Sequence, residues 1–154
     1  MELHLVRHGE AAQGAPDSLR RLTAAGRGEV ERVARASARL GLPVLEIRHS
    51  GKIRAHETAE ILAAALTPAR GVSEMKGLQH GDDPEDAKRA IASMEGSLLF
   101  VGHLPHLGRL SSLLLVGNPE RDLVAFGTGT LVSLSSEGTG KWILRRILTP
   151  ESGE

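Results

Sequence analysis

The chain has 154 residues, 40% of them hydrophobic, the size and apolar content of one globular domain with a single core. Nineteen Lys and Arg balance nineteen Asp and Glu, so no global field recruits nucleic acid or an anionic membrane, and any anion site must be assembled locally. The absence of cysteine excludes disulfides, thiolate metal sites and thiol chemistry, and no segment approaches the ~20 apolar residues of a membrane span.

The first predicted element is a strand over residues 2–6 of MELHLVRHGE, which breaks off abruptly into Arg7, His8 and Gly9. Its apolar run is too short for a signal peptide, so a soluble cytoplasmic protein is expected. A polar loop, AAQGAPDSLRR, leads into LTAAGRGEVERVARASARLG, where Thr23 is placed to cap a helix whose apolar face includes Val30, Val33, Ala34 and Leu40, with Gly41 as the stop. VLEIRHS (44–50) reads as a second strand and IRAHETAEILAAAL as a helix closed by Pro68. PEDAKRAIASM opens on proline and acidic residues, which suits a helix N-terminus. SLLFVGH (97–103) is a continuous apolar run of the kind covered on both faces, and PHLGRLSSLLLVG is a helix with Pro105 near its first turn and Gly117 at its end. GTGTLVSLSSEGTGKWILRRIL alternates around EGTG as a β-hairpin.

This order predicts an α/β fold: a three-layer α/β/α sandwich with a mostly parallel central sheet and an antiparallel C-terminal edge. Residues 1–150 are expected to form one domain and 151–154 a frayed tail.

Ligands of such sheets collect beyond the carboxyl ends of the strands. Three junctions there carry unusual residues: Arg7, His8 and Gly9 after the first strand; His49, Ser50 and then Arg54 after the second; Gly102 and His103 after the apolar strand. Forked guanidinium donors beside imidazoles suit a tetrahedral oxyanion, because Arg contacts two phosphate oxygens at once and stays charged. Phosphoryl transfer needs positioning and charge stabilisation, a task for Arg7 and Arg54. It also needs a nucleophile, and the neutral imidazole of His8 can attack phosphorus. Gly9 would let the backbone bend sharply beside that ring. His103 reads as a donor to a phosphate oxygen.

Together LVRHGEA, LTAAG, HSGKIRAHETAEIL and VGHLPHLG resemble the histidine phosphatase superfamily, whose signature is Arg-His-Gly, and within it the SixA-type phosphohistidine phosphatases. The resemblance runs from the first strand to about residue 117 and is weaker through the hairpin. It implies a phosphoglycerate mutase-like fold, His8 as the phosphorylated nucleophile, Arg7 and Arg54 as phosphate clamps, His103 as the second pocket histidine, and metal-independent hydrolysis without a cofactor. For SixA-like members it implies phosphohistidine on a signalling protein as substrate. Arg20, just before LTAAG, matches a basic position near the pocket mouth.

Two departures stand out. Relatives commonly read Ser-Pro at Ser50-Gly51, and larger relatives acting on phosphate esters place a catalytic glutamate near SEMKGLQHGDD, where this chain aligns Gly77. Asp82, Glu74 and His80 remain as possible acids. A missing acid is compatible with a phosphohistidine substrate: an alkoxide leaving group approaches the ~16 of water, whereas imidazole leaves with a conjugate acid near ~6.5. The roughly thirty residues between the Arg54 helix and the strand before His103 also leave little material for a lid.

Taken singly these residues have plainer readings. Arg-His-Gly could be a strand end, Arg54 an exposed helical arginine near Glu57, and His103 a histidine satisfied by backbone. The ordered context outweighs them. His49, His56, His80 and His106 read as surface or supporting residues, and no His-Glu-x-x-His spacing points to a metal. The expected protein is a cytoplasmic, monomeric, metal-independent phosphatase acting on a phosphorylated protein, with no nucleic-acid or membrane partner. A broad small-molecule phosphomonoesterase and a non-catalytic phosphate- or phosphohistidine-binding module are the competing readings.

Overall fold

The computed structural model describes residues 1–151; residues 152–154, most of the expected tail, lie outside the described residues. Six strands form one sheet: β1 (Glu2–Arg7), β2 (Glu46–His49), β3 (Val72–Glu74), β4 (Leu98–Gly102), β5 (Leu131–Ser136) and β6 (Trp142–Leu148). Their order across the sheet is β3-β2-β4-β1-β5-β6. β3, β2, β4 and β1 run parallel, and the hairpin of β5 and β6 adds an antiparallel edge through β5 beside β1. The helices are α1 (Ala24–Arg39), α2 (Ile53–Leu66), α3 (Pro84–Ala92) and α4 (His106–Val116), with one short 3-10 turn at Asp17–Leu19.

The strand period of two sorts the core into two layers. Leu3 and Leu5 of β1, Leu98 and Phe100 of β4, and Val132 and Leu134 of β5 pack with Ala87 and Ile91 of α3 and Leu107, Leu110 and Leu114 of α4. On the opposite face Val6, Ile47, Leu99, Val101 and Leu131 meet Val30, Val33 and Ala34 of α1 and Ala55, Ala59 and Leu62 of α2. The mixed sheet thus lies between two helical layers, as expected from the alternation of elements. β4 is buried along its whole length, consistent with its uninterrupted apolar sequence.

Local signals explain the helix ends. Thr23 Oγ1 accepts the Gly26 amide at 2.9 Å and caps α1; Asp83 caps α3, with Pro84 in the first turn. Gly117 ends α4 in the left-handed conformation. Leu40 departs from expectation. It follows the last helical residue of α1 and is 53% exposed, because the chain turns at Gly41 before its side chain can reach the core. β3 was not predicted: three residues of which two are exposed carry no alternation to read.

Register sets the site. In the parallel pair, Arg7 lies beside Gly102, and in the next pair His49 lies beside Val101. The carboxyl ends of β1, β2 and β4 therefore finish side by side, and the His8 amide donates to the Gly102 carbonyl at 3.2 Å.

Candidate active site

The turn after β1 is clamped from both helices of one layer. The Gly9 amide donates to Thr58 Oγ1 of α2 at 3.1 Å, and that hydroxyl donates to the Arg54 carbonyl at 2.8 Å. On the other side, a Cβ at Gly9 would stand 2.8 Å from both Gly26 O and Val30 Cγ2 of α1, and a Cβ at Gly26 would overlap the Glu10 carbonyl. Gly9 is not in the left-handed region. Its role is therefore close approach to α1, which corrects the expected sharp bend. The same contact gives the glycine of LTAAG its reason.

His8 is 9% exposed, and its Nδ1 lies 2.7 Å from the Gly9 carbonyl. A carbonyl only accepts, so Nδ1 carries the proton and Nε2 the lone pair. Burial, against the help of the Gly9 hydrogen bond, and then the charges of Arg54, Arg7 and Arg20 push its pKa down to about 4. The ring is neutral at pH 7, and Nε2 makes no hydrogen bond to the described protein.

A cleft of about 590 Å³ opens over this ring, lined by Arg7, Arg20, Lys52, Arg54, His80, His103 and Leu104 besides His8 and Asp17. Arg7 Nη1 donates to the Phe126 carbonyl at 3.0 Å. Arg54, 5% exposed in the first turn of α2, donates from Nη1 to the Asp17 carbonyl at 2.7 Å and pairs through Nη2 with Asp17 Oδ1 at 3.3 Å. Its partner is thus Asp17 and not Glu57, which instead holds Arg21, Arg27 and the Leu22 amide. Lys52 Nζ reaches Asp17 Oδ2 at 2.6 Å and His80 Nδ1 at 3.4 Å. Arg20 is tied along its own loop to the carbonyls of Ala12 and Ala11.

The second histidine comes from the end of β4. The His103 ring lies 5.0 Å from that of His8, tilted by 49°, and its Nε2 meets Ser50 Oγ at 2.6 Å. The Lys52 amide donates into the same hydroxyl at 3.4 Å. The pair holds the ring in place whichever partner donates, since a hydroxyl that accepts one amide proton keeps a second lone pair and its own proton. Burial first, then His8, Arg54 and Lys52, lower the His103 pKa to about 2. Three buried polar atoms at this site find no partner in the protein: Arg7 Nε, Arg54 Nε and His103 Nδ1.

Arg7, His8, Arg54, His103, Arg20 and His80 are brought together around the cleft. Asp82 and Glu74 are not among its lining residues. Asp82 accepts the Gln79 amide and closes a turn, while Glu74 packs its carboxylate against Gly51. Gly77 has φ +95°, a conformation in which a glutamate would be strained. Gly51, also at φ +95°, adopts a backbone closed to the proline of relatives. His106, read as a surface or supporting residue, is fully buried. His49 is buried and stacks on His56 at 4.7 Å, and His4 bonds Ser133 Oγ and the Pro43 carbonyl. Lys52 and Asp17 were missed as site residues, and Ser50, placed at the ligand end of the second strand, was given no role. The available signals were the position of Lys52 two residues before Arg54 and the Pro-Asp-Ser turn in the polar loop. Among the described residues no three His, Asp or Glu side chains converge to hold a metal ion, and no helix is long and apolar enough to cross a membrane.

The family model for the histidine phosphatase superfamily (branch 1) matches residues 3–95. The chain belongs to that superfamily, which supports phosphatase chemistry at this cleft. An uncharacterized Picosynechococcus protein is 37% identical over 131 residues, covering 80% of this chain and 78% of its own. Among solved structures, the protein histidine phosphatase SixA complexed with tungstate superposes with a TM-score of 0.89 over 100% of both chains at 23% identity. An Escherichia coli protein provisionally described as an alpha-ribazole-5'-phosphate phosphatase does so at 0.77, covering 97% of this chain and 98% of its own, at 16% identity. The two structural likenesses establish the shared phosphoglycerate mutase-like fold.

Proposed function

We propose that this chain is a metal-independent phosphatase that removes phosphate from phosphohistidine displayed on a protein, through a phosphoryl intermediate on His8. The observation that carries the reading is the state of His8. Its ring is neutral, its Nδ1–H is fastened to Gly9 O, and its Nε2 is free in a cleft with four cationic side chains. A pure binding module has no need of a tautomer set up for attack.

In the first step Nε2 forms a bond to phosphorus while the bond to the substrate imidazole nitrogen breaks; the substrate ring, protonated on its other nitrogen, departs as neutral imidazole. Arg7 and Arg54 hold the equatorial oxygens, and His103 donates to one of them. Each of the three has one buried nitrogen without a protein partner. In the second step water attacks the phosphoryl group, inorganic phosphate leaves, and His8 is restored.

Substrate class turns on the acid, and of the three expected candidates His80 alone reaches the cleft, its Nδ1 facing the Lys52 ammonium at 3.4 Å. The one carboxylate lining the cleft, Asp17, is held well below the usual carboxylate range by Lys52 and Arg54, so it has no proton to give. An alkoxide leaving group, near the ~16 of water, needs such a proton; imidazole, near ~6.5, does not. The likeness to a SixA protein that binds tungstate, a tetrahedral oxyanion, accords with this reading.

The test is a comparison, by one preparation, of a phosphohistidine protein with a simple phosphate ester. Faster hydrolysis of the phosphohistidine protein is expected. A clear preference for the ester would instead make the chain a small-molecule phosphomonoesterase. Rapid quench without acid should trap phosphate on His8, and His8→Ala should abolish turnover while phosphate still binds. Exhaustive chelation should leave the rate unchanged.

A further inference from the structure

Asp17 stands where an incoming anion would compete with it. It opens the 3-10 turn of the loop before α1, and its side chain is 56% exposed. Yet it touches three of the four cations of the cleft: Lys52 Nζ at 2.6 Å, Arg54 Nη2 at 3.3 Å and Arg20 Nη1 at 3.5 Å. Arg7, the fourth, donates from Nη1 to the Phe126 carbonyl instead. Structural ion pairs of this kind usually lie away from the ligand. Here the carboxylate shares its partners with the substrate phosphate.

We propose that Asp17 is a positioning residue that acts through Arg54 and Lys52 to weaken the hold on free phosphate, and so sets the rate of product release. This rests on the phosphatase reading above. Charge decides the direction. Inorganic phosphate carries between one and two negative charges at neutral pH and would sit beside Asp17 with all of that charge on the departing group. In the transition state part of that charge is shared with the His8 nitrogen and the leaving atom. Repulsion from Asp17, and its claim on the two cations, therefore act most strongly on the product and least on the reacting group. Interactions that differ in this way between bound states raise turnover instead of affinity.

Titration calorimetry with inorganic phosphate as the probe tests this without any turnover. Asp17→Asn and Asp17→Ser, both neutral, should bind phosphate at least about tenfold more tightly than the parent, the scale set by one neighbouring charge. Asp17→Glu keeps the charge and should restore the parent affinity to within about twofold. Unchanged or weakened phosphate binding in the neutral variants would overturn the proposal. So would equal tightening in Asp17→Glu, since loop shape and not charge would then be responsible. Because binding is read directly, absence of turnover on any phosphorylated protein would refute the functional reading and leave this result standing. In an active preparation, kcat should fall in Asp17→Asn and product inhibition deepen together.

Discussion

Ser50 Oγ and His103 Nε2 are 2.6 Å apart, a hydrogen bond that joins the loop after β2 to the end of β4 across 53 residues. It fixes the ring beside His8, and the Lys52 amide, donating into the same hydroxyl at 3.4 Å, ties the start of α2 to the same point. The two strand ends thus cooperate in one side-chain state, which neither could set alone.

Ser50→Ala should therefore impair catalysis more than stability. One hydrogen bond, worth ~1 kcal/mol, is lost from the fold, and the His103 ring is no longer held in orientation. We expect kcat/KM to fall about tenfold while the melting temperature moves by only a few degrees. An unaltered kcat/KM would show that Ser50 does not orient the ring.

The limits of reading the sequence follow the same logic. Arg7, His8, Arg54 and His103 were legible because each ends or follows a predicted strand, and parallel strands share one ligand end. Asp17 and Lys52 were not, because their pairing spans 35 residues and the loop carrying Asp17 has no periodicity. Whether His106 faced solvent or lay beneath the surface was not legible, because a polar residue in the first turn of a helix usually meets solvent, whereas here α4 buries that turn. Gly9 was rightly singled out for the wrong reason. Flexibility is visible in a sequence as glycine, but the need for close helix approach is visible only in the packing.

Arg54→Lys should separate charge from geometry. Lysine keeps the charge, but it cannot reproduce the fork that holds both the carbonyl and the carboxylate of Asp17. Losing one transition-state donor costs on the order of a hundredfold in kcat. We expect that loss for Lys, and a larger one for Ala with weakened phosphate binding. Equal activity in Arg54→Lys would remove bidentate recognition from the mechanism.

Gly9→Ala should damage both fold and activity. The added Cβ would stand 2.8 Å from a backbone oxygen of α1 that cannot rotate away, so the turn carrying His8 must shift. Overpacking of this kind costs typically 1–3 kcal/mol. Thermal denaturation should show that loss, and turnover should fall further than stability alone accounts for. A fully active variant with parental melting temperature would contradict the close approach.

The pH dependence of stability tests the burial of the histidines. His4, His8, His49, His103 and His106 all have their pKa lowered, burial being the largest cause in each. Each is neutral in the fold but free to protonate, near ~6.5, once unfolded. The unfolded chain therefore binds more protons as pH falls through that value, and stability rises with pH wherever that holds. The contribution is complete above about 6.5 and is lost on acidification, with the His8 share still falling until the folded ring itself protonates near 4. Asp17, lowered chiefly by Lys52, and Glu57, lowered against its burial by the Leu22 amide and then by Arg21 and Arg27, add their loss only at the more acidic pH of carboxylates. The melting temperature should thus decline between pH 7 and 5, where carboxylates are silent. In the same range an NMR titration should show no protonation of His8. A His8 midpoint near 6.5 would mean that the nucleophile is neither as buried nor as surrounded by cations as its geometry requires.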